Sequence, residues 1–107
     1  MSFVELQKLA KGGYGDMVKG VADIKRKVIA LGGELHADAE ALLINDGSAS
    51  RDLWGFNIYP TKAKDERIEF TSLINIRPAL GNKSMEVKDP KIQGQMQSII
   101  SNLIEEK

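Results

Sequence analysis

The sequence predicts an α+β domain: a three-stranded antiparallel meander with amphipathic helices before and after it (α-β-β-β-α), the helices packed on one sheet face. Three observations lead there. Leu53 to Pro78, LWGFNIYPTKAKDERIEFTSLINIRP, reads as two strands joined by a charged turn, with apolar residues recurring at every second position. Tyr14, Met17, Val18, Val21, Ile24, Val28 and Leu31 recur at three- and four-residue steps, the repeat of a helix. Asp89-Pro90 offers an N-cap followed by proline at the first helical position.

Taken in order, Phe3, Val4, Leu6 and Leu9 predict a short N-terminal helix within residues 1–12, ending at Gly12-Gly13. The helix from Tyr14 stops at Gly32-Gly33. Residues 34–44 fit two periods. Alternation places His36, Asp38, Glu40, Leu42 and Ile44 on one side, whereas Leu35, Ala39, Leu42 and Leu43 also fit a helix. The turn signal Asn45-Asp46-Gly47-Ser48, directly ahead of a clear strand, favours the strand reading. Strands follow at 53–59 and 68–77, bounded by Pro60 and Pro78, and Gly81-Asn82 marks a turn. Ile92, Met96, Ile99, Ile100 and Leu103 form the stripe of the final helix.

A chain of 107 residues has room for one core, so residues 1–107 read as a single domain. Fifteen basic and fifteen acidic residues cancel, which argues against a nucleic-acid partner. The absence of cysteine excludes disulfides, thiolate nucleophiles and cysteine-based metal sites. No secretory signal is visible, and no apolar run approaches the roughly 20 residues that span a bilayer, so no membrane partner is expected. A cytoplasmic location is the expectation.

On a strand, His36, Asp38 and Glu40 would point to one side, where a histidine and two carboxylates can bind a ligand or exchange a proton. Asn57, Tyr59, Glu69, Thr71, Asn75 and Arg77 would share that face. The candidate ligand site is therefore His36, Asp38, Glu40, Asn75 and Arg77. The competing reading is a solvated face on which Arg77 pairs with Asp38, Glu40 or Glu69. Gly12-Gly13-Tyr14-Gly15-Asp16 precedes a helix but lacks the lysine and the spacing of a phosphate-binding loop. Leu42, Ile44, Leu53, Tyr59 and Leu73 would leave the same sheet face half apolar, which makes them candidate interface residues.

The phrases GGYGDMVKGVADI (12–24), GGELHADAEALLINDGS (32–48), LWGFNIYP (53–60), IEFTSLINIRPALGNKS (68–84) and DPKI (89–92) resemble a family of small prokaryotic proteins catalogued as a domain of unknown function. The resemblance covers nearly the whole chain. It implies a single compact domain in bacteria or archaea and brings no activity, substrate or cofactor with it.

The function expected from the sequence is a non-enzymatic module acting through self-association, most simply as a dimer, or through a protein partner. The alternative is a small-ligand- or metal-binding enzyme using the polar site on the open sheet face. No cofactor and no resident metal are expected, and whether the protein is an enzyme stays open.

Overall fold

The computed structural model describes residues 17–32, 35–63 and 66–104. The expected N-terminal helix and the Gly12–Asp16 loop lie outside them. Among the described residues the protein has a four-stranded antiparallel sheet and two α-helices, an α+β architecture. The strands are β1 (Val18–Asp23), β2 (Val28–Leu31), β3 (Leu53–Ile58) and β4 (Ile68–Glu69), in the spatial order β2-β1-β3-β4. Helix α1 spans His36–Asn45 and α2 spans Pro90–Leu103. No helix among the described residues is long and apolar enough to cross a membrane.

The helix expected from Tyr14 to Leu31 is replaced, over its described part, by the β1–β2 hairpin. Both faces of β1 are buried, and a strand covered on both sides loses its period-two signal. Val18 and Ala22 enter one core cluster and Val21 the other, so the apparent helical stripe is divided between two faces. Gly20 fixes the close approach of β3: a Cβ there would lie 2.4 Å from Cζ of Phe56, its register partner. At the hairpin turn, the Asp23 carboxylate accepts the N–H groups of Lys25 and Arg26, both at 2.9 Å. Lys27 completes the turn in the left-handed region, at φ 59°.

Residues 36–45 are helical rather than extended. Ala, Leu and Glu are good helix formers, and burying Ala39 and Leu43 four residues apart satisfies the helix repeat. The turn signal that favoured a strand serves instead as a helix stop. Gly47 adopts φ 108°, and the N–H groups of Gly47 and Ser48 close onto the carbonyls of Ile44 and Leu43.

The third expected strand pairs only over Ile68–Glu69. Beyond it, Leu73–Asn75 and Pro78–Leu80 form 3-10 turns. Ser72 starts the first by accepting the N–H of Ile74, and Pro78 stands at the first position of the second. The sheet is thus not a three-stranded meander.

Nor do the helices share a face. Trp54, Phe56 and Ile58 of β3 pack with Met96 and Ile100 of α2, while Leu53, Val21 and Ala30 pack with Ala39 and Leu43 of α1. Alternation along β1 and β3 puts these two clusters on opposite sides of the sheet. The face expected to be open is covered by α1.

Strand β3 lies where the sequence places it, and so does α2, whose N-cap Asp89 accepts the N–H of Lys91 at 2.9 Å.

Candidate functional site

The five residues expected to form a ligand site are divided among different structural tasks. Asp38 lies in the first turn of α1, where its carboxylate accepts the N–H of Leu35 at 3.1 Å. Glu40, one turn of helix beyond His36, forms an ion pair with Arg77 at 2.9 Å. Arg77 also donates to the carbonyls of Ile74, at 2.8 Å, and Ser50, and its guanidinium stands over the Trp54 ring. Of the three carboxylates weighed as its partner, the helix presents Glu40. Asn75 is wholly buried against Gly55 of β3.

His36 stands apart from these. It opens α1 above β3, and its Nε2–H donates to the Phe56 carbonyl at 2.9 Å; a carbonyl only accepts, which assigns the proton to Nε2. Burial holds its pKa below the ordinary imidazole value, and the Lys19 charge adds to that. The Phe56 carbonyl, the Asn57 side chain and the Glu69 carboxylate pull the other way without prevailing.

Beneath His36, Lys19, Asn57 and Glu69 are register partners across β1, β3 and β4. The Asn57 amide donates to Glu69 at 2.8 Å and to the Thr71 carbonyl at 3.3 Å, and the Tyr59 hydroxyl donates to Glu69 at 3.3 Å. Asn57, Tyr59, Glu69 and Thr71 therefore do lie together, with His36 reaching them from a helix. The arrangement holds a neutral imidazole in one tautomer. Among the described residues, no group of three or more His, Asp or Glu side chains is arranged to hold a metal ion.

The apolar candidates also separate. Leu53 is fully buried in the α1 cluster, and Tyr59 is half-buried. Leu42 and Ile44 are exposed on α1, at 63% and 44%, and Leu73 is exposed on a 3-10 turn. Leu42 borders a groove of ≈ 490 Å³ whose other wall is β2, through Val28, Ile29 and Ala30. Among the described residues β2 is hydrogen-bonded on one side only, so it is an edge of the sheet.

The sequence reading missed this edge because it placed residues 28–31 in a helix. Two signals pointed to it: the density of β-branched residues in Val18, Val21, Val28 and Ile29, and Gly20 in what would have been a helix interior.

Among the described residues the chain is a small antiparallel sheet with one helix on each face and an edge strand that carries no charge. The chain belongs to the family described as protein of unknown function DUF5674, whose match covers residues 1–103. No curated protein and no solved structure matches it.

Proposed function

We propose that the protein is a non-enzymatic α+β module that works by pairing with a second copy of itself along β2. The observation that carries this reading is the character of that edge. Val28, Ile29, Ala30 and Leu31 contain no charge and no proline, the usual devices that keep an exposed edge from pairing. The Gly32 N–H bonds to the Lys19 carbonyl, and the alternation of an antiparallel ladder then turns the backbone groups of Ile29 and Leu31 outward.

Two such edges related by a twofold axis are complementary to one another, since the same strand supplies donors and acceptors to both sides. Leu42, exposed beside the groove along β2, would be covered by the partner. Pairing would join the sheets of the two copies into one continuous sheet.

Native mass spectrometry and sedimentation at micromolar concentration test the proposal, with Leu42→Lys as the probe because that side chain is exposed. A wild-type dimer that Leu42→Lys converts to a folded monomer is the expected result. Hydrogen exchange should protect the Ile29 and Leu31 amides in the dimer and release them in the variant. A wild-type monomer, or a dimer with both amides freely exchanging, defeats the β2 pairing.

A further inference from the structure

A second groove, of ≈ 520 Å³, lies on the other side of the molecule between α2 and the β1–β2 turn. Its apolar surfaces come from Ile24, Ile99 and Leu103, and Lys27 of the turn and Lys91 of the helix supply two cations. Gln95, Ser98 and Asn102 add neutral polar groups, and no lining residue is acidic. From Pro90 to Leu103, α2 contains no Asp or Glu at all.

Gly94 lies within this groove and inside the 14-residue helix α2. A glycine there weakens the helix relative to alanine, through its greater backbone freedom in the unfolded chain. Packing does not demand it: a Cβ at position 94 would meet no atom within 4 Å. Gly20 and Gly55, by contrast, are wedged against neighbouring side chains. What the missing side chain of Gly94 does preserve is open volume in the groove that Lys27, Lys91 and Ile99 also line. Departures from local preference without a packing reason concentrate at functional sites.

We propose that this groove binds a small organic anion with an apolar body, its carboxylate or phosphate held by Lys27 and Lys91 and its apolar part laid over Ile24, Ile99 and Leu103. The proposal does not depend on pairing along β2, because the groove and that edge share no residue from Val28 to Leu31.

Isothermal titration of the full chain with octanoate tests it, with octan-1-ol and octylammonium as neutral and cationic probes. Octanoate is expected to bind one-to-one with a dissociation constant at or below about 1 mM, and the other two more weakly. Lys27→Gly, which suits the left-handed backbone at that position, and Lys91→Gln should each weaken octanoate about threefold or more. Gly94→Leu should abolish binding while melting at or above the wild-type temperature, since it fills the groove and improves the helix. Ser98→Leu blocks the same groove from the next turn and serves as the second obstruction. Equal affinity for all three probes overturns the assignment to an anion. Octanoate binding that survives both obstructing variants overturns the location, and no binding at about 10 mM octanoate overturns the site.

Discussion

The side chain of Asn75 does for Gly55 what a neighbouring strand would have done. The Gly55 N–H donates to Oδ1 of Asn75 at 2.7 Å, and Nδ2 of Asn75 donates back to the Gly55 carbonyl at 3.0 Å and to the Met85 carbonyl at 3.1 Å. The chain leaves β4 after Glu69 for a series of turns, and the backbone of β3 would otherwise lose its partner there. An amide carries a donor and an acceptor side by side, the same pair a peptide group offers.

Replacing Asn75 by Ala should therefore cost about 2–4 kcal/mol, because it strands a buried donor and a buried acceptor of β3 together. Asn75→Asp should be at least as damaging, since a carboxylate cannot donate to the Gly55 carbonyl. Urea unfolding followed by Trp54 fluorescence measures both. A loss below about 0.5 kcal/mol for Asn75→Ala would mean that the amide does not hold β3 in place.

Arg77 and Glu40 should respond asymmetrically. Their side chains are 13% and 22% exposed, and Arg77 has two carbonyl acceptors besides its carboxylate. Removing Arg77 leaves Glu40 and the carbonyls of Ile74 and Ser50 without their donor, so Arg77→Ala should cost about 3 kcal/mol. Glu40→Gln leaves the guanidinium its two carbonyls and its place over Trp54, and should cost about 1 kcal/mol. Arg77→Lys should resemble Arg77→Ala, because a single ammonium cannot span three acceptors in a plane. Equal losses for Arg77→Ala and Glu40→Gln in urea unfolding would reduce Arg77 to an ordinary ion-pair partner.

The parts of the fold that were legible in the sequence are those whose local chemistry has one reading. Asp89-Pro90 starts α2 whatever surrounds it, and β3 alternates large residues with small or polar ones because Trp54, Phe56 and Ile58 all face α2. β1 lacks that contrast. Val18 and Val21 are both buried, on opposite faces, and a strand apolar on both sides can imitate the spacing of a helix. In α1 the error ran the other way: Ala37, Ala39 and Ala41 supply a period of two, although Ala39 alone among them is buried. The site residues inherited this error. His36, Asp38 and Glu40 point together only on a strand, so their union dissolved, while Asn57, Tyr59 and Glu69 stayed together because β3 and β4 are real.

The glycine of β3 should be nearly irreplaceable. A Cβ on Gly55 would lie 2.5 Å from Cβ and 2.7 Å from Oγ of Ser72, a residue that is itself buried. Neither atom sits at the end of a long flexible chain, so the turn from Ser72 to Asn75 must move, and with it the amide that pairs with Gly55. Gly55→Ala should cost about 2–3 kcal/mol, measured by urea unfolding. Gly94→Ala, in open space on α2, should instead gain about 1 kcal/mol in the same assay. If both substitutions were neutral, close approach would not be what reserves position 55 for glycine.

The single histidine makes the acid limb of stability easy to assign. Burial favours the neutral form of His36 in the folded chain, so its pKa lies below the ordinary value of 6.5 that the unfolded chain restores. Well above pH 6.5 both states carry a neutral imidazole and the residue adds no pH dependence. As pH falls through 6.5 the unfolded chain takes up a proton that the folded chain resists, and stability declines until the folded-state pKa is reached. His36→Gln removes that titration, so the difference in unfolding free energy between wild type and variant should shift steadily in favour of the variant below pH 6.5. Urea unfolding at a series of pH values supplies the difference, and the C2-proton NMR shift of the one imidazole supplies its folded-state pKa. A difference that stays flat from pH 7 to pH 5, or a folded-state pKa above 6.5, would show that the pull of the Phe56 carbonyl and Glu69 on the ring exceeds the effect of its burial.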